Sequence, residues 1–283
     1  MPTIPAKLYE AFAQIRLGKI EEGTRLFDRV DGCDSVKSAA LAELNCFRHD
    51  WKHCIQFVRD FLESDEDWET VRSFMNDYTE LHLKVFLLCT CHLDSWKESR
   101  SYLQQLQKKD NPYYAKQAYS DMCQKTIALI SDPENTKRLL LESRPKLKEK
   151  GQTDRELLEY QATYMSAHKT SIRLWRHQIR TLDDVIHVAY LKASTEDHLT
   201  LYERYIDQLE YARSHAESAK SFIAAGNISK AKDAVRRYMR CWQHKEPLQV
   251  APIDLFTDVE LWEIMSDRRF TESLLTIPHN RES

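Results

Sequence analysis

The sequence predicts an all-α fold, and three observations carry that reading. Gly (5) and Pro (8) are scarce among 283 residues, too few turn-formers for a barrel or sandwich built from many hairpins. Leu, Ala, Glu, Lys, Gln and Arg, the strong helix formers, are abundant. Apolar residues recur at helical spacing nearly from end to end, and no alternation of apolar and polar residues lasts long enough to predict a sheet. With 42% hydrophobic residues, a chain of this length can bury a sizeable core without disulfides or metals.

The elements follow in order. Leu8, Phe12 and Ile15 share one face of a first helix, and Leu26, Phe27 and Val30 mark the buried side of a second. Cys54, Ile55, Val58, Phe61 and Leu62 form a later stripe, followed by Leu81, Val85, Leu88 and His92. Ser131-Asp132-Pro133-Glu134 sets a capping side chain before a Pro suited to the first helical position. Asp183 and Asp184 follow Thr181 at a helix start, and Ser194-Thr195-Glu196-Asp197 also puts acids in a first turn, where they meet the helix dipole. Leu199, Tyr202, Ile206 and Leu209 continue the pattern, and Thr257-Asp258-Val259-Glu260 fits a capping box. Glu149-Lys150-Gly151-Gln152 reads as a hinge between an N-terminal half, 1–150, and a C-terminal half, 151–283, in one continuous stack. Lys245 to Pro252 reads as a loop before the last helices.

Four segments repeat one layout around a helix-to-helix turn. A bulky residue opens the second helix (Ile20, Trp51, Trp96, Ile228), a small one follows three residues later (Gly23, Cys54, Ser99, Ala231), and an apolar one closes the pattern (Phe27, Val58, Leu103, Val235). Phe270, Ser273 and Ile277 form a degenerate fifth copy. This layout resembles the tetratricopeptide (TPR) repeat, with Gly18 and Gly226 matching its inter-helix glycine. The small residue fits because two helices cross closely there. The resemblance is good over 8–30 and 216–240, weaker over 38–62 and 82–106, and covers roughly a third of the chain. It implies an irregular, right-handed solenoid of antiparallel helix pairs. The spacings of 31 residues (Ile20 to Trp51) and 45 (Trp51 to Trp96) depart from the regular period of about 34, and 107–215 holds helices without an alignable repeat.

TPR proteins bind partners on the concave face made by the first helix of each pair. Carried over, that face includes Leu8, Phe12, Arg16, Glu43, Phe47, Lys84, Arg213 and Lys220. The Lys/Asn clamp of the chaperone-binding members is missing, because Leu8, Phe12, Ala39 and Glu43 stand at the matching places. The resemblance therefore implies a folded partner or an amphipathic helix rather than a peptide carboxylate. Leu8 and Phe12 have an equal claim to be interior filling.

No motif for catalysis is present: no Gly-x-Ser-x-Gly elbow, phosphate loop or dinucleotide fingerprint. No cofactor is expected. His49, His53, Cys54 and Cys46 invite a zinc reading, but the repeat register spreads them over a turn and a helix crossing, so no metal is expected either. Cys89 and Cys91 point about 200° apart on a helix and read as core thiols. Seven cysteines without a secretory signal indicate free thiols in a reducing compartment, and the longest apolar run, Val85–Cys89, is too short to span a bilayer. The expectation is a soluble cytoplasmic protein with no membrane partner.

The net charge of −3 does not favour a general nucleic-acid binder. Charge is nonetheless segmented: 51–100 carries 6 basic and 10 acidic residues, and 101–150 carries 10 and 6. Arg173, Arg176 and Arg180 recur at three- and four-residue spacing. Lys230, Lys232, Arg236, Arg237, Arg240 and Lys245 face only Asp233 over 229–245. A solvated, ion-paired face explains these stripes, and docking of an acidic protein or of phosphates is the sharper reading. The function expected is a non-catalytic protein-binding module, in its most specific form a stoichiometric inhibitor or immunity protein that blocks a toxin or effector. The alternatives are a nucleic-acid-associated regulator using the basic faces, and an enzyme with a site in 107–215, where Tyr160, Tyr164, His168 and His177 would converge.

Overall fold

The computed structural model describes residues 5–63, 75–108, 116–152, 155–167, 172–174, 177–243 and 249–278. The helices are α1 (Ala6–Arg16), α2 (Ile20–Phe27), α3 (Asp34–Phe47), α4 (Trp51–Glu63), α5 (Met75–Leu93), α6 (Trp96–Leu106), α7 (Lys116–Ile130), α8 (Pro133–Leu141) and α9 (Arg155–Ala167). A hairpin of β1 (Ile172–Leu174) and β2 (His177–Ile179) follows, then α10 (Leu182–Lys192), α11 (Thr195–Tyr205), α12 (Ala212–Ala224), α13 (Ile228–Cys241), α14 (Asp254–Thr257), α15 (Trp262–Met265) and α16 (Arg268–Leu274). The fold is all-α apart from that hairpin, whose antiparallel strands pair Ile172 with Ile179. Three residues per strand leave no room for the alternation that would announce it. No helix among the described residues is long and apolar enough to cross a membrane.

The four expected turns share one backbone conformation. Gly18, His49, Asp94 and Gly226 all have positive φ, at 81°, 52°, 52° and 74°, and each stands two residues before the bulky opener of the second helix. In the first, second and fourth turns this residue donates its N–H three residues back, and the next donates five back: Gly18 and Lys19 to Ile15 and Gln14, His49 and Asp50 to Cys46 and Asn45, Gly226 and Asn227 to Ile223 and Phe222. In the third, Ser95 donates to Thr90. A left-handed residue just past a helix end closes the helix in this way. The small residues Gly23, Cys54, Ser99 and Ala231 are all buried, as are Phe27, Val58, Leu103 and Val235. A Cβ on Gly23 would lie 2.5 Å from Ile15 Cγ1 and 2.7 Å from the Ala11 carbonyl oxygen, so α2 crosses α1 too closely for any side chain there.

Two compact units divide the chain, beside the expected halves 1–150 and 151–283 of one continuous stack. The first comprises 1–143 and 244–278, the second 144–243 and 279–283. The C-terminal helices α14 to α16 thus belong to the first unit. The core of that unit includes Phe12, Phe47, Leu44 and Phe86 together with Val250, Ile253, Leu261, Ile264 and Met265, all nearly inaccessible. Residues 249–253 pack as interior, so the described part of the expected loop is buried rather than solvated.

In the second unit, α10 to α13 surround Val185, Ile186, Leu201, Tyr202, Ala234 and Met239. The expected hinge is pinned. Gln152 N donates to the Lys192 carbonyl (2.6 Å), Thr195 N to the Lys148 carbonyl (2.8 Å), and Lys148 N to Thr195 Oγ1 (2.9 Å). A Cβ on Gly151 would lie 2.7 Å from Ser194 N, so the segment is laid tightly on the α10–α11 turn. Helix starts follow local sequence: Asp132 caps α8 with Pro133 at its first position, Thr181 and Asp184 form a capping box on α10, and Ser194 caps α11. At the fourth site the cap is Asp258 rather than Thr257; it accepts from Glu260 N and opens the 3₁₀ turn Val259–Leu261.

Candidate functional site

The face expected to receive a partner is filled by the chain itself. Leu8, Phe12, Glu43 and Phe47 are fully buried, so Phe12, Glu43 and Phe47 leave the set of partner-binding residues. For Glu43 and Phe47 the returning segment 249–271 of the same unit contributes, whereas Phe12 packs edge-on against Phe27 of α2 at 5.9 Å. Arg16 Nε and Nη2 donate to the Gln249 carbonyl at 2.8 and 2.7 Å. Glu43 Oε2 accepts from Val250 N (2.7 Å) and Ala251 N (2.9 Å), and Oε1 accepts from Tyr78 Oη (2.7 Å). Thr271 Oγ1 donates to the Phe47 carbonyl (2.8 Å), and the Phe47 ring meets Phe256 edge-on at 4.9 Å. Arg16 and Glu43 therefore read backbone groups, as a docking face does, but on their own chain. Burial pushes the Glu43 carboxyl up to about 8 against the pull of Tyr78, the two amides and the Arg16 charge.

The other expected contact residues are accessible. Lys84 pairs with Glu80 at 3.0 Å and Arg213 with Asp184 at 3.3 Å, both on exposed side chains. Lys220 is half-buried on α12, where its charge acts on Glu217.

The basic stripes divide. Arg173 lies in β1, so the spacing of Arg173, Arg176 and Arg180 does not define a helix face; Arg176 lies outside the described residues. Arg180 follows β2, and its amide donates to Asp184 Oδ2. On α13, Arg236 meets Asp233 (2.6 Å), Arg237 meets Asp207 (2.9 Å), and Lys230 meets Glu203. These are solvated ion pairs of little stabilising value. Arg240 is exposed, and Lys245 lies outside the described residues. Of the four residues expected to converge in 107–215, Tyr160 is exposed on α9, Tyr164 is half-buried, and His168 lies outside the described residues, as does the His177 side chain.

Among the described residues, no group of three or more His, Cys, Asp and Glu side chains could hold a metal ion. Of the zinc candidates, the Cys46 and Cys54 thiols stay in hydrogen-bond contact, and the two histidines turn to other partners. His53 Nδ1 meets Asp50 Oδ2 (2.7 Å), His49 Nε2 meets the Met265 carbonyl (3.0 Å), and Cys54 Sγ donates to the Ala42 carbonyl (3.3 Å). Burial raises the Cys46 and Cys89 thiols well above their ordinary range, which keeps these core sulfurs protonated.

An aromatic patch that periodicity did not reveal lies at the turn end of the first unit. The rings of Trp51 and His92 stack at 4.4 Å and 6°, His92 approaches Trp262 at 5.2 Å, and His49 approaches Trp51 at 4.9 Å. Phe256 lies beneath, edge-on to His49 and Trp51. His92 and its neighbour Leu93 are exposed, and Trp51 is half-buried. Desolvation holds His92 at about 4 and lowers His49 as well, so both rings are neutral at pH 7. Trp51 had its signal as a repeat opener; Trp262, 211 residues away, had none. No family model, curated protein or solved structure matches this chain.

Proposed function

We propose that the protein is a non-catalytic binding module of TPR-like helix pairs, stacked as an irregular solenoid, that recognises another protein. The observation that carries this reading is the common register of the four turns: a left-handed residue, a bulky opener two positions later and a buried small residue three further on. Stacked pairs of this kind present extended surfaces, and binding is what such surfaces commonly do.

The docking surface in this reading is exposed His92 and Leu93 with half-buried Trp51, backed by the buried Trp262, since the chain's own residues fill much of the first-helix face of the first two pairs. Tryptophan and neutral histidine combine a broad apolar face with a polar edge, a combination suited to interface anchors. The partner is a folded protein presenting a protruding apolar side chain, because a neutral aromatic patch offers no charge to hold a tail. A stoichiometric inhibitor or immunity protein acting on a toxin or effector is the specific form, and it requires one dominant partner at equal stoichiometry. A cytoplasmic location fits the seven cysteines, all present as thiols.

The test is capture from native lysate with the full chain, compared with a His92→Glu/Leu93→Asp variant and a Lys84→Glu/Arg213→Glu variant of unchanged melting temperature. One dominant, stoichiometric protein lost only with the first variant supports the reading. Loss only with the second moves the interface to the charged side chains. Salt-sensitive recovery of nucleic acid without protein overturns the binding-module reading.

A further inference from the structure

Six of the seven cysteines are sealed in the core: Cys33, Cys46, Cys54, Cys89 and Cys123 are inaccessible, and Cys91 is 5% exposed. Cys241, the last residue of α13, alone has partial access to solvent. Its Sγ lies 3.6 Å from His215 Nε2, and His215 Nδ1 lies 2.8 Å from Tyr202 Oη. Both ring residues are 1% exposed, and their rings meet edge-on at 5.7 Å, so the imidazole is held in one orientation. The tautomer protonated on Nδ1 donates to the Tyr202 oxygen and leaves Nε2 as an acceptor facing the thiol. A thiol paired with an imidazole that a third side chain orients is the arrangement that makes a sulfur nucleophilic. The set is assembled from three helices, α11, α12 and α13, and no local motif announces it.

We propose that Cys241 is a modification site for low-molecular-weight disulfides, with His215 as proton acceptor and Tyr202 as the residue that positions His215. In the reaction the Cys241 Sγ–H proton passes to His215 Nε2 and the thiolate attacks one sulfur of R–S–S–R. The Cys241 Sγ–S bond forms and the reagent's S–S bond breaks. The leaving thiolate takes up the proton, giving Cys241–S–S–R and R–SH. Cys241 sulfur is oxidised and the departing sulfur is reduced, so no further oxidant is needed.

The charged surroundings come from every packed element. Arg237 stands one turn before Cys241 on α13 and its charge acts on both His215 and Tyr202, while Asp233 on α13 and Glu203 on α11 act on Tyr202. Asp207, in the 3₁₀ turn after α11, pairs with Arg237. Burial and the Arg237 charge hold His215 at about 4, so the resting imidazole is neutral and a weak base, and proton transfer to it depends on the thiolate at 3.6 Å. The thiolate formed beside it supplies the anion that offsets burial of the imidazolium.

The probe is oxidised glutathione in excess over the full chain in native buffer, followed by intact mass and peptide mapping between pH 6 and 9. A single adduct on Cys241, absent from Cys241→Ser, is the expected result. His215→Gln is expected to slow it at least tenfold at pH 6.5 and much less at pH 9, where hydroxide supplies thiolate without the imidazole. Tyr202→Phe keeps the ring packing and is expected to slow the reaction at pH 6.5 by a smaller factor, which keeps the test open where His215→Gln does not fold. First modification at any other cysteine, no adduct before urea is added, or equal rates at pH 6.5 for wild type and the folded variants would each overturn the proposal.

Discussion

Each unit is locked by one buried carboxyl group with the same three kinds of partner, and the two differ in how far along the chain those partners lie. In the first unit Glu43 accepts from the consecutive amides of Val250 and Ala251 and from the Tyr78 hydroxyl. In the second, Asp183 accepts from the consecutive amides of Glu210 (3.1 Å) and Tyr211 (3.1 Å) and from the Ser214 hydroxyl (2.7 Å). Glu43 spans 207 and 208 residues to its amides, and Asp183 spans 27 and 28. Asp183 organises a neighbouring turn and the start of α12. Glu43 closes a unit whose last part is made after residues 144–243 of the second unit. The same chemistry thus serves local order in one case and closure of a discontinuous unit in the other, and loop-closure entropy makes the second the slower step.

Removing the two anchors is the most direct way to break this parallel. Glu43→Ala strands two buried amides and a buried hydroxyl, at a cost of roughly 4 kcal/mol. Asp183→Ala is expected to cost about 2 kcal/mol, because Glu210 and Tyr211 are exposed and water can replace the lost acceptor. Amide hydrogen exchange on the full chain separates them: Glu43→Ala should deprotect 249–274 and leave α10 to α13 protected, and Asp183→Ala should do the reverse. Equal deprotection of both regions by either variant would show that the locks are not separate.

Titration sharpens the same comparison. The Glu43 carboxyl, raised by burial from its ordinary 4.5 to about 8, binds its proton more tightly in the folded chain than in the unfolded one. Its contribution is therefore fully present below pH 4.5 and is lost as pH rises through about 8, with a slope of at most about 1.4 kcal/mol per pH unit. Burial also raises Asp183 from 3.8, against the pull of Ser214 and the two amides, so its loss has the same sign and begins at lower pH. Urea midpoints should rise with pH up to about 6.5, where the lowered His82, His92, His198 and His215 lose the protons they carry only when unfolded, and should fall from pH 7 to 9 as Glu43 ionises; Glu43→Gln should flatten that fall. An unchanged slope in Glu43→Gln would assign the pH dependence to another group.

The repeat register was legible in the sequence because helix crossing and turn closure are local demands: a small residue, a left-handed residue, an apolar stripe. His49 and Asp94 in the left-handed position fit this too, since His and Asp tolerate it better than most residues. The face of α1 and α3 was not legible. Glu43 and Phe47 carry the pattern of a surface awaiting a partner, and nothing within 50 residues says that Val250, Ala251 and Phe256 will meet them. A run containing Pro247 and Pro252 reads as a surface loop until the amides of Val250 and Ala251 find an acceptor in Glu43. The hairpin at 172–179 escaped for a different reason, because its strands are shorter than the shortest alternation that can be recognised. The Trp51–His92–Trp262 patch and the Cys241–His215–Tyr202 set share one cause: each draws its members from separate helices, so only the packed structure assembles them.

Steric tests at two glycines compare the units at smaller amplitude. Gly23→Val places side-chain atoms where Ile15 and the Ala11 carbonyl already stand, and overpacking there is expected to cost about 2–3 kcal/mol despite a better helix propensity. Gly151→Ala meets backbone at Ala193 and Ser194 within 2.8 Å. It is expected to cost about 1–2 kcal/mol by loosening 148–152 from the α10–α11 turn. Thermal midpoints give the order, and faster exchange at the Gln152 and Thr195 amides gives the location. A neutral Gly151→Ala would restore the hinge reading of this segment.

The smallest effects separate turn geometry from side-chain contacts. Gly226 has φ 74°, and a Cβ on it would meet no atom within 4 Å, so Gly226→Ala isolates the left-handed strain and should cost about 1 kcal/mol. Asp94 stands at the same turn position in the first unit with φ 52°, and Asp94→Gly should recover a similar amount. Against this, Asp94 Oδ1 accepts from Trp96 Nε1 (2.7 Å) and pairs with Lys137 Nζ (3.0 Å). The side chain is exposed, so solvent screens these contacts and their loss counts for little. The net expectation is a gain below about 1 kcal/mol, read as a higher urea midpoint. A loss would mean that the link from this turn to α8 outweighs the backbone strain, making the third pair depend on its neighbour where the fourth depends only on its glycine.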